Sequence, residues 1–317
     1  MGRRWKNKRV GLALGSGGAR GWAHLGVLQA LQEREIRVDV IAGTSMGAIA
    51  GAFLAAGRIE TLREVAETLD WRRLRQFFWE VSLSRSGLTD GRKLLEETET
   101  LLGVSEFREL DLPFRAVATD LNSGGEVVMD SGNLIQALRA SISIPGLFSP
   151  VWIGRRLLLD GGLVNPVPVN VARDMGAQVV LAVDVSQGIE PERKPEAPPE
   201  RKRERSAGGP LRLPKETGEE ESAGALRMLE DFFGEVEKKV RKLKDSWASE
   251  EAKPDLVEVL VRSVRVMEAQ IARARRGIDP PDVLIEPGVG GIGTLDFQRA
   301  KEAIEAGHAA AVKALDS

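Results

Sequence analysis

Two glycine-rich turns near the start of the chain, each between a short apolar run and a helical pattern, constrain the fold more than any other feature. Residues 9–15 form an apolar run that ends in glycines, and residues 22–33 carry apolar side chains at helical spacing. The pattern repeats at once, with a buried-strand run at 38–42, a tight turn at 43–47 and a small-residue helix at 48–56. Consecutive β-α units of this kind favour a parallel sheet with helices on its faces.

Strand and helix patterns continue along the chain in the same mixed order. The later strands are predicted at 114–119, 126–129, 157–159, 178–184 and 282–285. The later helices are predicted near 60–80, 92–101, 133–141, 255–275 and 296–314. The chain is therefore predicted to belong to the α/β class.

Composition excludes several kinds of function. The 317 residues are 42% hydrophobic, which is enough for a sizeable core, and 45 basic and 47 acidic side chains leave a formal charge of -2. A chain so nearly neutral has no overall field to attract nucleic acid, so we expect no nucleic-acid partner. Because the sequence has no cysteine and only two histidines, it lacks the usual ligands of a zinc centre, and we expect neither a metal nor a cofactor.

The N-terminal sequence resembles the head of a signal peptide only briefly. Its basic residues are followed by an apolar run that extends from Val10 to Leu14 before glycines begin. Nowhere do about eighteen apolar residues follow one another, so no membrane span is predicted. These features predict a cytoplasmic protein, and any contact that it makes with a membrane would be peripheral.

A change of composition divides the chain. Of the 36 residues from 187 to 222, 17 are charged, six are proline and four are glycine, so the segment cannot bury its own surface. A mobile, solvated linker is the favoured interpretation, and an anionic-lipid contact through the basic run 201–205 is the alternative. The predicted organisation has four parts: a main core at 1–186, the linker at 187–222, a helical segment at 223–277, and a C-terminal strand and helix at 278–317 that complete the core.

The segment after the linker carries one apolar stripe on a charged helix. Its apolar residues recur at spacings of three, four and seven: Leu226, Leu229, Phe233, Val236, Val240, Leu243 and Trp247. Packing on another helix or on the sheet is the favoured interpretation. A lid or a membrane-facing hairpin is the alternative, because Phe232, Phe233 and Trp247 are typical of an interfacial helix.

Residues 43–47 read Gly-Thr-Ser-Met-Gly, the only G-x-S-x-G sequence in the chain. The motif lies between an apolar strand and a small-residue helix, which is the setting of a nucleophile elbow. Glycines two residues before and after the serine allow a turn too tight for Cβ atoms, and the turn lifts the hydroxyl over a helix N-terminus. The pattern makes Ser45 the candidate nucleophile, with an ordinary glycine-rich turn as the alternative.

A second glycine cluster, Gly15-Ser16-Gly17-Gly18-Ala19-Arg20-Gly21, ends the first predicted strand. It does not fit a dinucleotide loop, because Arg20 fills the third glycine position, and it contains no Walker lysine. Consecutive glycines between a strand and a helix do favour a nest of backbone N–H groups suited to an anion. Beside an elbow serine on the neighbouring strand, that anion would be the oxyanion of a tetrahedral acyl intermediate.

The sequence offers two kinds of base for this serine. A serine-acid-histidine triad would need His308, but that residue lies in an alanine-rich helical run rather than on a loop. His24, on the helix after the glycine cluster, is interpreted as a packing residue. The other candidate is an acid acting alone, Asp160, which ends the apolar strand 157–159 and is followed by two glycines. Taken alone, this Asp-Gly-Gly is better explained as an ordinary turn.

Together the motifs resemble those of the patatin-like phospholipases, in their compact bacterial form. The family's G-x-S-x-G serine corresponds to Ser45 and its Asp-Gly-Gly aspartate to Asp160. Its glycine-rich oxyanion motif, with an arginine, corresponds to Gly17, Gly18, Arg20 and Gly21. Residues 139–151 and 118–121 resemble two further family blocks.

The resemblance covers about residues 9–186 and resumes near 255–314. Ser16 departs from it, since many members have a further glycine there, and the linker is not part of the shared core. The resemblance implies a three-layer α/β/α fold with a central, mostly parallel sheet.

The function implied is that of a serine acyl hydrolase, which cleaves carboxylic ester bonds of lipids as a phospholipase A or lysophospholipase does. In that function Ser45 is the nucleophile and Asp160 its base. The amides of Gly17 and Gly18 form the oxyanion hole, and Arg20 orients the loop or a substrate phosphate.

Two alternatives remain beside this dyad: a triad hydrolase that uses His308, and a non-hydrolytic lipid-binding or regulatory protein that keeps the pocket. An ordinary aspartate, with a pKa of about 3.9, is a weak base. A dyad therefore needs proton transfer concerted with attack, or a carboxylate whose pKa is raised by burial.

Overall fold

The computed structural model describes four stretches of the chain: Trp5, 7–68, 92–186 and 256–317. The expected linker at 187–222 and the amphipathic stretch at 226–247 lie outside these residues. So does the part of the helix expected at 60–80 that follows Thr68. The three long described stretches belong to one unit.

Eight strands of the described residues pair into one sheet. They are β1 (Val10–Leu14), β2 (Val40–Thr44), β3 (Phe114–Asp120), β4 (Glu126–Met129), β5 (Val151–Ile153), β6 (Arg156–Asp160), β7 (Val179–Val183) and β8 (Val283–Ile285). β1, β2 and β7 are buried along their whole length. Apart from Thr44 at the end of β2 their residues are apolar or glycine, which suits strands covered on both faces. β5 is not among the expected strands.

Parallel pairing dominates the middle of the sheet. β1 pairs in parallel with both β2 and β7, and the parallel pairs β2–β3 and β7–β8 extend the sheet on either side. Three antiparallel pairs, β3–β4, β3–β6 and β5–β6, complete it. This mostly parallel sheet confirms the predicted α/β class.

Eight α-helices lie in the described part of the chain. They are α1 (Ala23–Glu33), α2 (Met46–Ala55), α3 (Ile59–Thr68), α4 (Arg92–Leu102), α5 (Leu134–Ser141), α6 (Val169–Asp174), α7 (Leu256–Ile278) and α8 (Ala300–Asp316). A 3-10 turn, Phe297–Arg299, precedes α8, so the α-helix proper begins slightly later than the sequence predicts.

Alternate residues of the central strands pack into two hydrophobic cores, one on each face of the sheet. Leu12, Leu14 and Ile41 pack in one core with side chains of α1, α2 and α8. Ala13 and Ala182 pack in the other core with side chains of α6. Helices on both faces of the sheet confirm the expected three-layer α/β/α architecture.

The C-terminal residues 278–317 contribute β8 and α8 to this unit. β8 pairs with β7 at the edge of the sheet. α8 packs along α1, with its buried Ala303 and Ala311 in the larger core.

The ends of β2 and β6 meet along one edge of β3. Thr44, the last residue of β2, pairs with Val117 of β3, and Asp160, the last residue of β6, pairs with the next residue, Ala118. β4 pairs with both Val117 and Ala118, so it occupies the other edge of β3. β2 and β6 therefore approach each other end to end, which brings the residue after Thr44 beside Asp160.

Candidate active site

Ser45 lies at a sharp turn between β2 and α2. Its backbone has φ 56° and ψ -124°, a conformation that residues with a side chain rarely adopt. Gly47 makes the turn possible, because a Cβ atom on it would overlap the backbone carbonyls of Leu14 and Gly15. A Cβ atom on Gly43 would lie 2.5 Å from the Gly47 carbonyl oxygen. The strand, turn and helix have the geometry of a nucleophile elbow.

The Ser45 hydroxyl donates a hydrogen bond of 2.6 Å to Oδ2 of Asp160. The other carboxylate oxygen, Oδ1, accepts a hydrogen bond of 2.7 Å from the Gly162 N–H. Ser45 is 3% exposed and Asp160 is 1% exposed. The structure therefore brings together, away from solvent, the two side chains that the sequence singles out as nucleophile and base.

The backbone of Asp160 is fixed on both sides. Its N–H donates to the Ser143 carbonyl oxygen at 3.1 Å, and its own carbonyl accepts from the Thr119 hydroxyl at 2.7 Å. Its side chain caps the 3-10 turn Gly161–Leu163. These contacts restrict the carboxylate and keep Oδ2 directed at Ser45.

Ser141, the last residue of α5, supports the elbow from the other side. Its hydroxyl accepts a hydrogen bond from the Ser45 N–H and donates one of 2.6 Å to the Val117 carbonyl oxygen. Sequence reasoning assigned no role to Ser141. The signal that could have found it is its position in the block 139–151, which resembles a family block without a stated function.

The surroundings of Asp160 change its acidity. Burial raises the pKa of Asp160, because a buried carboxylate loses the hydration of its charge, and the nearby Glu268 carboxylate raises it further. The hydrogen bonds from Ser45 and Gly162 act in the opposite direction. The net effect raises the pKa of Asp160 to about 8. Such a carboxylate is a much better proton acceptor than an ordinary aspartate.

The glycine loop, residues 15–21, lies directly beside the elbow, since Gly47 faces its first carbonyl. Gly18 has φ 55°. Among the described residues, the N–H groups of Gly17 and Gly18 donate to no protein acceptor, although both residues are buried. Buried N–H groups are nearly always paired, so these two are available to a ligand. Adjacent free N–H groups beside a nucleophile are what an oxyanion hole requires.

Arg20, within the glycine loop, is fully buried. Its Nε donates to the Val185 carbonyl oxygen at 3.0 Å and its Nη1 to the Ile292 carbonyl oxygen at 3.4 Å. Burial lowers the pKa of Arg20 to about 10. Because its guanidinium group donates to the chain itself, the position favours orientation of the loop over binding of a substrate phosphate.

The two histidines have other partners. His308 Nε2 lies 2.8 Å from Glu33 Oε2, where α8 packs on α1. His24 Nε2 lies 2.8 Å from the Gly15 carbonyl oxygen, and complete burial lowers the pKa of His24 to about 4. Within the described stretches, neither histidine forms a hydrogen bond to Ser45 or Asp160. The arrangement therefore favours a dyad over a triad through His308.

Glu268 of α7 is the ionisable side chain near the site that sequence reasoning missed. The buried residues of this helix recur at spacings of three and four and form one inner face: Val261, Val264, Glu268 and Ala272. Glu268 is the only charged member of that face. A glutamate on an otherwise apolar stripe of an amphipathic helix is the signal that could have revealed it.

The described residues give no candidate metal centre, because they contain no group of three or more His, Cys, Asp and Glu side chains placed to hold an ion. No helix in the described stretches is both long enough and apolar enough to cross a bilayer.

An α/β protein with a serine at a strand-helix elbow, an aspartate bonded to that serine and free backbone N–H groups nearby belongs to a narrow structural class. Comparison with known protein families identifies this class: the family model described as patatin-like phospholipase matches residues 12–173. The matched range includes the glycine loop, Ser45 and Asp160. The chain belongs to the patatin-like phospholipase family, and this membership supports a lipid hydrolase at the family level.

Individual relatives extend the similarity along the chain. An uncharacterized NTE family protein of Mycobacterium tuberculosis is 34% identical over 338 aligned residues, covering 98% of this chain and 92% of the relative. Patatin-like phospholipase domain-containing protein 7 of Rattus norvegicus is 35% identical over 181 residues, covering 56% of this chain and 13% of that protein. Among solved structures, VipD from Legionella pneumophila aligns with a TM-score of 0.45 and 14% identity over 98% of this chain and 66% of that chain.

Proposed function

We propose that the protein is a serine acyl hydrolase that cleaves carboxylic ester bonds of lipids, with Ser45 and Asp160 as a catalytic dyad. The observation that carries the proposal is the 2.6 Å hydrogen bond from the Ser45 hydroxyl to Oδ2 of Asp160. This contact joins the candidate nucleophile to a carboxylate whose pKa is raised, so a direct proton transfer needs no intervening group.

In the acylation step, the Ser45 oxygen attacks the ester carbonyl carbon while its proton passes to Asp160. The carbonyl oxygen becomes an oxyanion, which the N–H groups of Gly17 and Gly18 stabilise. When the tetrahedral intermediate collapses, the bond to the alcohol oxygen breaks and Asp160 returns the proton to that oxygen. The alcohol leaves, and the acyl group remains on Ser45.

In the deacylation step, Asp160 accepts a proton from a water molecule that attacks the acyl carbon. The same two N–H groups stabilise the second oxyanion. The bond to the Ser45 oxygen then breaks, the serine regains its proton from Asp160, and the fatty acid is released. Each step uses Asp160 once as base and once as acid, so the dyad returns to its starting state.

The substrate class that we propose is a phospholipid or lysophospholipid, cut at an acyl ester as a phospholipase A or lysophospholipase would cut it. Family membership supports a lipid substrate. Because such a substrate lies in a bilayer or micelle, the proposal includes peripheral contact with a membrane surface.

A fluorophosphonate probe tests the proposal, because it forms a covalent bond only with an activated serine. We expect the probe to label wild-type protein at Ser45 and to leave Ser45→Ala unlabelled. The same substitution should lower kcat on a p-nitrophenyl acyl ester by more than about a hundredfold. Ser123→Ala, which removes an exposed hydroxyl, is the matched control and should be labelled normally.

The alternative that keeps the fold is a lipid-binding or regulatory protein without hydrolysis. That protein would bind phospholipid vesicles, yet it would give neither probe labelling nor released fatty acid. Mass spectrometry of the products from phosphatidylcholine separates the remaining cases, since a free fatty acid shows cleavage of the carboxylic ester. A wild-type protein that is folded but not labelled at Ser45 would refute the dyad.

A further inference from the structure

α7 places a second carboxylate beside Asp160. Glu268 is 7% exposed and lies on the inner face of the helix between Val264 and Ala272. A Cβ atom built on Gly162 would overlap Oε1 of Glu268 and lie 2.9 Å from its Cδ atom. The N–H of the same Gly162 donates to Oδ1 of Asp160. The two buried carboxylates therefore both lie against Gly162, Asp160 from the end of β6 and Glu268 from α7.

The Glu268 carboxylate also lies against the glycine loop. The Cβ atom built on Gly162 would be 3.0 Å from the Ser16 hydroxyl, so Ser16 and Glu268 both face Gly162, in the loop 160–163 that we call the aspartate loop. The positive charge of Arg20, which follows in the glycine loop, acts on Glu268 and opposes the rise of its pKa that burial causes. Glu268 thus stands where the aspartate loop and the glycine loop meet.

We infer that Glu268 is a positioning residue of the proposed hydrolase site, and that its buried charge makes Asp160 a stronger base toward Ser45. The inference rests on the proposed function, because it concerns the same proton transfer. It goes beyond the dyad by assigning a role to a residue on a helix that carries none of the recognised motifs.

The pKa of Glu268 is raised to about 7, because burial outweighs the cations around it. Burial is the largest effect, and the Asp184 carboxylate just after β7 raises the pKa too. The guanidinium groups of Arg20 and of Arg265, on the same helix, lower it. Two cations beside one carboxylate stabilise its negative charge, even in a buried position.

The groups around Asp160 stabilise its charge less well. Its two oxygens accept hydrogen bonds from the Ser45 hydroxyl and the Gly162 N–H, which are both neutral donors. The remaining charged neighbour that acts on it is Glu268, and its like charge raises the pKa of Asp160. Glu268 therefore ionises first, and its charge favours a proton on Asp160.

This order of ionisation matters for catalysis. A general base is more effective when its affinity for the proton approaches that of the group it deprotonates. A serine hydroxyl is a very weak acid, so an aspartate of ordinary strength would accept its proton poorly. A neighbouring negative charge corrects this weakness without adding a histidine.

The test measures the rate of fluorophosphonate labelling at Ser45 against pH in wild type and in Glu268→Gln. Labelling needs the ionised base, so the rate should rise with pH through the pKa of Asp160. In Glu268→Gln we expect this rise at a pH lower by about half a unit or more, with a plateau rate about three- to tenfold below wild type. Glu305→Gln, at an exposed position of α8, is the matched control and should give the wild-type profile.

A second pair of measurements keeps the inference testable if Glu268→Gln does not fold. Glu268→Asp keeps a charge at this position and should retain a profile closer to that of wild type. Infrared titration of the buried carboxyl groups in full-length wild type and Asp160→Asn tests the order of ionisation. If Glu268 ionises first, Asp160 is still neutral while Glu268 titrates, so loss of Asp160 must remove the later ionisation and leave the earlier one nearly unmoved.

The outcomes distinguish the two proposals. If wild type is labelled but Glu268→Gln labels with an unmoved pH profile, the role of Glu268 is refuted and the dyad stands. A uniform loss of labelling at every pH, together with a lower melting temperature, shows a merely structural role and refutes it as well. If wild type is not labelled at any pH, the proposed function itself fails.

Discussion

The Ser141 hydroxyl holds the backbone of Ser45 in place, through a hydrogen bond of 2.9 Å that it accepts from the Ser45 N–H. The same hydroxyl donates to the carbonyl oxygen of Val117 in β3. The elbow turn is thus tied to the central sheet by one buried side chain. Since the Ser45 backbone has an unfavourable conformation, a fixed anchor of this kind helps to maintain it.

We predict that Ser141→Ala lowers both stability and activity. The substitution leaves the Ser45 N–H and the Val117 carbonyl without their buried partner, which costs about 1–3 kcal/mol of unfolding free energy. Relaxation of the turn should also reduce kcat on a soluble ester. Urea unfolding and steady-state kinetics measure the two effects. Ser263→Ala removes an exposed hydroxyl from α7 and should change neither by much; equal behaviour of the two variants would contradict the anchoring role.

A second prediction separates the dyad from a triad. Asp160→Asn should reduce kcat nearly as far as Ser45→Ala does, because the amide cannot accept the serine proton. His308→Gln should be almost silent, since the His308 ring on α8 lies beside Glu33 at the end of α1. Ester hydrolysis by purified variants decides between them. A hundredfold loss in His308→Gln at unchanged melting temperature would support the triad instead.

The fold was predictable because its main elements have strong local patterns. The apolar runs of β1, β2 and β7 and the helical spacing of α1 extend over enough residues to be recognised. β5 was not predicted; it lies at the edge of the sheet, where its three residues are at most partly buried. The meeting of β2 and β6 depends on their register along β3, and no local pattern in the sequence specifies a register between distant strands.

The site was predictable to the extent that turn chemistry constrains residue type. Gly43, Ser45 and Gly47 are required by the geometry of one turn, so they form a readable motif. Glu268 could be noticed as a charge on an apolar stripe, but its place beside Asp160 could not be predicted, because it comes from the packing of α7 against a loop more than a hundred residues earlier. Ser141 was missed for the same reason, since a serine at a helix end has many possible partners.

A third prediction concerns the elbow glycine. Gly47→Ala should prevent normal folding or abolish activity, because its Cβ atom would overlap the carbonyls of Leu14 and Gly15, which are backbone atoms that cannot move aside. Gly277→Ala is the matched control, since a Cβ atom at this exposed position in α7 meets nothing within 4 Å. The control should be neutral or gain up to about 1 kcal/mol from better helix propensity. Circular dichroism during thermal unfolding compares the two, and a normally stable, active Gly47→Ala would show that the turn is not so tight.

The last prediction is that Asp160→Asn stabilises the protein while inactivating it, and that the gain grows with pH. The folded-state pKa of Asp160 is raised from 3.8 to about 8. Between these values the folded state holds a proton that the unfolded chain has lost, so wild-type stability falls as the pH rises through this window. The asparagine cannot ionise and escapes this loss, so its melting temperature should match that of wild type near pH 4 and exceed it above pH 8. We expect a difference in unfolding free energy of about 1 kcal/mol or more at the alkaline end.

Asp174→Asn, at an exposed position of α6, is the control for this prediction. If Asp160→Asn is no more stable than wild type at any pH, then burial does not hold the proton on Asp160, and the carboxylate is an ordinary, weak base.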